Sequence, residues 1–125
     1  MKKVEFEFYT RPNGKNEFKI FYNDLPKKDK EKLLGVINNV SIFGLEISKK
    51  EQWIKKLDNN LYELRSKYGS SIQRVIYFHV IRNKYIITHG FTKKTQKTPK
   101  KEINHGIALR EEYFLIQEKE NDKKH

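Results

Sequence analysis

The 125-residue sequence contains no cysteine, and glycine and proline are few, at six and three residues. The absence of cysteine excludes disulfides and thiolate metal sites. No apolar run approaches the roughly 20 residues that a membrane-spanning helix needs. The first residues, MKKVEFEFY, alternate charged and apolar side chains, unlike the continuous apolar segment of a signal peptide. We therefore expect a globular protein in a reducing, cytoplasmic setting.

Positive charge is abundant, and it is concentrated in one part of the chain. The formal net charge is +11, and residues 49–101 carry fourteen Lys/Arg but three Asp/Glu, against nine and seven in residues 1–48. Such a concentrated field attracts polyanions and speeds their encounter with the protein. A basic surface that serves only solubility is the alternative. Confinement of the charge to one stretch favours a nucleic-acid partner.

The residue pattern predicts the element order β-α-α-β-β-β-α, an α+β fold in which helices pack on one sheet. Alternation of apolar and charged residues at 4–9 predicts a first strand. Apolar residues at helical spacing predict two helices, over about 18–25 and 26–44. Residues 45–60 are interpreted as a connector of mixed helical and turn character.

Residues 61–101 are predicted to form the centre of the fold. The runs LYELR, QRVIYFHVI and YIITHGF, joined by short polar turns, are typical of a three-stranded antiparallel meander. Thr98 and Pro99 then predict the N-cap and first turn of a final helix. That helix completes one domain over residues 1–117, and we expect the charged tail at 118–125 to be flexible.

Two arginines of the meander are candidates for phosphate binding. Strand alternation places Glu63 and Arg65 on one face, which we expect to be the open face, away from the helices. A tight turn would put Arg74 beside Arg65 across the ladder, where two like charges need an anion or a carboxylate between them. Glu63 could be that carboxylate. An exposed Glu/Arg pair without function, worth less than ~1 kcal/mol, is the alternative.

Further candidates follow the last strand and lie near it. Lys93 and Lys94 precede hydroxyl, amide and amine donors that suit phosphate and sugar oxygens, although a solvated loop would have the same composition. Trp53, Tyr68 and Tyr77 could stack on bases, but packing in the core is favoured for Trp53. The side chains expected to contact RNA are Lys55, Lys56, Thr95, Lys97, Lys100, Lys101 and Trp53.

The histidines are weaker candidates for a functional site than the arginines and lysines. His79 and His89 lie in strand patterns and are more simply explained as partly buried, hydrogen-bonded residues; His89, near the basic loop, is the better functional candidate. We expect His105 to be incidental to any site. No His/Asp/Glu cluster has metal-ligand spacing, and neither a glycine-rich phosphate loop nor a Ser/His/Asp arrangement is present. We therefore expect no metal and no cofactor.

Three segments together, LYELR, QRVIYF and HGFTKKTQKTPKKEI, strongly resemble the RelE/ParE superfamily of type II toxin–antitoxin toxins. More narrowly, they resemble the HigB-type, phage-derived branch, in which a KKT-x-KTP segment precedes the last helix. The resemblance extends over nearly the whole chain. It implies a microbial-RNase-like fold and metal-independent, ribosome-dependent cleavage of mRNA. It also implies a helix-turn-helix antitoxin of the HigA type, and hence a heteromeric toxin–antitoxin complex.

The resemblance further implies roles for individual residues. Arg65, Arg74, Lys93 and Lys94 correspond by position to the family's catalytic arginines and basic pair. The ribose 2′-OH would attack the adjacent phosphate, and the arginines would stabilise the charge that develops. Candidates for the base are Glu63, Lys93 and Lys94, with His89 as a weaker choice, and the acid is equally open.

Two other functions are compatible with the sequence. A ParE-like toxin that poisons DNA gyrase would share the fold, and a plain RNA-binding domain would share the charge. ParE-type proteins generally lack clustered catalytic arginines and lysines, whereas both are present here. The sequence therefore favours the ribonuclease.

Overall fold

The computed structural model describes residues 2–93 and 97–123. The sequence explains several element boundaries: the Asn16 side chain accepts a hydrogen bond from the Lys19 amide at the start of the first helix, and Gly44, at φ +87°, ends the second. The elements are β1 (Glu5–Phe8), α1 (Glu17–Asn23), α2 (Lys27–Phe43), α3 (Leu45–Lys50), β2 (Ile54–Asp58), β3 (Leu61–Tyr68), β4 (Ser71–Ile81), β5 (Lys84–Lys93) and α4 (Lys100–Lys123).

The strands form one five-stranded sheet in the order β1-β5-β4-β3-β2. Strands β3, β4 and β5 pair antiparallel, which confirms the predicted meander, and β1 joins β5 in parallel. The α+β class is confirmed.

Two predicted boundaries were wrong. Residues 45–60 contain α3 and β2 rather than a connector, because elements of six and five residues carry little periodicity. At the other end of the chain, α4 reaches Lys123, so residues 118–123 are helical as well as exposed. The flexibility of that segment stays a prediction.

Helices cover both faces of the sheet. On one face, α1 and α2 pack on a cluster that includes Leu64, Val75 and Ile87. On the other face, α4 packs through Leu109 and neighbouring residues on β4 and β5. The α4 backbone approaches the sheet at Gly106, where an added Cβ would lie 2.8 Å from Ile76 Cγ2. The expectation that the face of Glu63 and Arg65 is open was therefore wrong.

No helix in the described part of the chain is both long and apolar enough to cross a membrane.

Candidate active site

The strand register brings the predicted arginines together. Arg65 pairs with Arg74 across β3 and β4, which confirms the prediction that they are cross-strand neighbours. Arg74 in turn pairs with Phe91 on β5. One row of the sheet, on the face that α4 covers, therefore runs Arg65–Arg74–Phe91.

Glu63 and Arg74 form an ion pair, and both residues are fully buried. The Arg74 Nη1 donates to both carboxylate oxygens of Glu63, at 3.0 and 2.9 Å. Thr98 Oγ1 donates to the same carboxylate at 2.5 Å, and Lys55 Nζ lies 3.9 Å from it. A buried carboxylate needs such partners because the loss of hydration is costly. With its oxygens engaged in this way, Glu63 is better suited to holding Arg74 than to accepting a proton from a substrate.

Thr98 was predicted to cap the last helix, and the structure gives its hydroxyl a different partner. The helix begins at Lys100, and the Pro99 carbonyl accepts the first helical hydrogen bond, from Ile103 at 3.3 Å. The Thr98 hydroxyl instead donates to Glu63. The start of α4 is therefore joined directly to the buried ion pair.

Arg65 differs from its neighbour Arg74. It is half-buried, and its side chain has no hydrogen bond or ion pair to any residue that the structure describes. Its Nε is buried without a partner. A guanidinium is charged at all relevant pH values, and its donors are geometrically matched to phosphate oxygens. The Arg65 side chain is therefore available to an anion from outside the protein.

The predicted lysines are distributed around this row. Lys55 pairs with Glu63 and so shares its face, whereas Lys56, next along β2, is exposed on the opposite face. Lys93 ends β5, is half-buried and pairs with Ile72. The exposed lysines at the start of α4 are Lys97, Lys100 and Lys101. Two further predicted residues, Lys94 and Thr95, lie outside the described residues.

His89 is buried, at 5% exposure, and its tautomer follows from its neighbours. The Thr88 hydroxyl donates to the Ile76 carbonyl at 3.1 Å, so it must accept a hydrogen bond from His89 Nδ1 at 2.9 Å. The bare Nε2 then lies 3.3 Å from a Glu102 oxygen without forming a hydrogen bond. Burial, together with the neighbouring imidazole of His105, lowers the pKa of His89 to about 4, although the carboxylate of Glu17 acts to raise it.

A polar network that sequence reasoning missed joins α4 to the segment around the start of α1. Arg11 bridges Glu112, at 2.9 Å, and Glu17, at 3.0 Å. His105 Nε2 lies 2.7 Å from Glu17, and Tyr9 donates to Glu112 at 2.8 Å. Although burial acts to raise the pKa of Glu17, its partners His105 and Arg11 hold that pKa below its usual value. His105, expected to be incidental, is thus part of this network. Its contacts to α4 join residues at least 88 positions apart, a separation that no local pattern spans.

The aromatic candidates have different environments. Tyr77 is 1% exposed and stacks on Tyr62 within the core, so its prediction as a base-stacking residue was wrong. Tyr68, at 49% exposure, remains accessible. Trp53 is half-buried, with its ring 6.2 Å from that of Phe43, so the packing that was favoured for it is present. A contact between Trp53 and RNA stays a prediction.

Comparison with known families places these residues in context. Residues 21–111 match the family of phage-derived, Gp49-like proteins. The chain belongs to this family. The Gp49-like family consists of toxin-like proteins of the RelE/HigB type, and the matched residues include Glu63, Arg65, Arg74 and Thr98. No curated protein matches the chain. The described residues contain no group of three metal-ligating side chains.

Proposed function

We propose that this Gp49-like protein is the toxin of a type II toxin–antitoxin module and that it cleaves mRNA on the ribosome. The observation that carries the proposal is the contrast within the arginine pair. Glu63 compensates the charge of Arg74 inside the protein, whereas Arg65 has no anionic partner among the described residues. An arginine without an anionic partner, beside one whose charge is compensated, is well suited to a phosphate that gains charge during a reaction.

The chemistry that fits this arrangement is transesterification within the RNA strand. The 2′-OH attacks the adjacent phosphorus, the bond to the 5′ oxygen breaks, and the products are a 2′,3′-cyclic phosphate and a free 5′-OH. Arg65 would bind the non-bridging oxygens and stabilise their growing charge, and Glu63 would fix the position of Arg74. Lys93, half-buried near the same row, is our candidate for proton transfer.

The site has few groups that could act as general base or general acid, and this would make cleavage depend on the ribosome. His89 Nε2 is buried, so this base cannot reach an RNA strand in the observed conformation. Correct orientation of a bound substrate can supply several kcal/mol of the barrier reduction. A ribosome that presents mRNA in a reactive conformation would supply this orientation. The exposed Lys97, Lys100 and Lys101 are our candidates for contacts with ribosomal RNA phosphates.

Partners follow from the same proposal. A toxin that cleaves mRNA needs a cognate inhibitor, for which we propose a helix-turn-helix antitoxin of the HigA type. A heteromeric toxin–antitoxin complex is the form we expect before the toxin is released.

The test is a map of mRNA 5′ ends after the toxin is expressed without its antitoxin. We expect new 5′-OH ends within translated messages. A matched message whose start codon is removed should remain intact, because it does not enter elongating ribosomes. Cleavage of both messages alike would contradict ribosome dependence. Damaged DNA with intact messages would overturn the ribonuclease and support a gyrase-directed toxin.

A further inference from the structure

A cleft lies beside Arg65, at an edge of the sheet. The pairing of β2 with β3 begins at Ile54 and Leu64, yet β3 continues to Tyr68. On this side of the sheet β2 is the edge strand, and it does not extend along the last residues of β3. Those residues therefore have no strand neighbour there. The space next to this part of β3, bounded by α2 and the turn before β2, forms a cleft of about 360 Å³. Arg65 lines it, so the cleft is continuous with the proposed active site.

The charges that line the cleft favour an anionic ligand. Lys32 from α2 and Lys67 from β3 lie on its walls with Arg65, and Glu51 is the acidic residue among the lining residues. None of these three cations has an ion pair with a described residue. Unpaired like charges close together repel, and a bound phosphate would relieve that repulsion.

Two further residues of the cleft suit the other parts of a nucleotide. Trp53 lines the cleft, and an indole offers a face on which any base can stack. Ser66 also lines it, is 2% exposed, and has a hydroxyl without a hydrogen-bond partner. Buried hydroxyls in proteins are nearly always hydrogen-bonded, so an unsatisfied one indicates a missing partner.

We propose that this cleft is a nucleotide subsite, which binds the RNA residue next to the phosphate held by Arg65. The inference rests on the proposed function, because Arg65 is shared between the two sites. The base would stack on Trp53, the adjoining phosphate would bind Lys32 and Lys67, and Ser66 would hydrogen-bond the sugar or base. An acidic peptide would satisfy the cations but would have no use for the indole face, so RNA fits the cleft better.

The chain provides its own reporter for this subsite, because Trp53 is its one tryptophan. The full-length protein is titrated with a short 2′-O-methyl oligoribonucleotide, which cannot be cleaved because its attacking hydroxyl is blocked. We expect saturable quenching of Trp53 fluorescence as a base stacks on the ring. Polyglutamate of similar charge should quench little at the same ionic strength. Equal quenching by polyglutamate, or no quenching by RNA, would overturn the inference.

Three variants refine the test. Ser66→Ala should weaken RNA binding roughly 2- to 10-fold through loss of one hydrogen bond. Its thermal stability should not fall, because the hydroxyl has no protein partner to lose. Lys67→Ala should lower the slope of log affinity against log salt by about 0.7, as expected for one phosphate contact with a single strand. Lys119→Ala removes the same charge from an exposed position on α4 and is the matched control.

The results also separate this inference from the proposed function. Quenching that depends on Ser66 and Lys67, without message cleavage, would leave an RNA-binding cleft on a protein that is not a ribonuclease. Ribosome-dependent cleavage by Ser66→Ala and Lys67→Ala at the wild-type rate and affinity would overturn the subsite and leave the nuclease in place.

Discussion

The two ends of α4 cover contrasting parts of the same sheet face. Through Leu109 near its middle and Tyr113 in its C-terminal half, the helix packs with Phe78 in an apolar cluster. Just before its start, the Thr98 hydroxyl donates a hydrogen bond to Glu63, which forms a fully buried ion pair with Arg74. Apolar residues of similar volume often match or exceed a buried ion pair in stability. From this contrast we infer that the apolar end fixes the helix, whereas the polar end serves the phosphate site that we propose at Arg65.

The largest effect on stability should come from breaking the polar end at Glu63. Glu63→Ala removes the carboxylate partner of buried Arg74 and should lower the free energy of unfolding by about 3–5 kcal/mol. Urea denaturation measures this loss, with exposed Glu118→Ala as the control. The double variant Glu63→Leu/Arg74→Met should recover much of the stability but have no toxicity. A loss below about 1 kcal/mol for Glu63→Ala would show that buried Arg74 does not depend on the Glu63 carboxylate.

A cavity at the apolar end of α4 should lower stability but leave cleavage intact, unlike the loss of the polar pair. Leu109 is 1% exposed, so Leu109→Ala should lower the free energy of unfolding by about 2–5 kcal/mol through lost packing. Below its melting temperature, the folded variant should still cleave mRNA on ribosomes. A variant that remains folded by circular dichroism yet is inactive would contradict the division between the two ends.

Acid should weaken the region between the ends, where α4 meets His89. The pKa of His89 is near 4 in the folded protein and about 6.5 when unfolded, so between these values the unfolded chain binds the extra proton. Stability should therefore fall by about 2 kcal/mol as the pH drops from 6.5 to 5. Denaturation at several pH values measures the slope, which His89→Gln should largely remove. An unchanged slope in His89→Gln would assign the acid sensitivity to other groups.

The smallest effect concerns the lysines at the start of α4. Lys101 is exposed in the first turn, where the helix dipole disfavours positive charge. Lys101→Glu should stabilise the fold by about 0.5 kcal/mol at low salt while weakening binding to ribosomes. Thermal melting and ribosome co-sedimentation measure the two effects, and Lys119→Glu is the control. Unchanged co-sedimentation would remove Lys101 from the ribosome contacts.

Much of the meander could be predicted because its strands alternate and its turns are short. The same regularity fixed the pairing of Arg65 with Arg74. The burial of Glu63 could not be predicted, because two charged residues that satisfy each other inside a protein look, in sequence, like an exposed pair. The network from Glu17 to His105 was equally hidden, since its contacts join residues 88 positions apart.

The cleft beside Arg65 was missed for a different reason. Lys32 and Ser66 belong to separate elements and match no motif. Both line the cleft, which is open because β2 does not extend along the last residues of β3. Sequence patterns describe the faces of single elements, whereas a cleft depends on where neighbouring elements stop. Trp53 was noticed, but its double environment, core on one side and cleft on the other, required the structure.

The most direct test of the central claim is cleavage by Arg65→Ala on ribosomes programmed with a defined message, measured together with urea stability. Because Arg65 has no described protein partner, its removal should change the free energy of unfolding by less than about 1 kcal/mol. Loss of the donor that we propose at the reacting phosphate should lower the cleavage rate by about 100-fold or more. Cleavage within a few-fold of wild type in a stable Arg65→Ala protein would contradict the account.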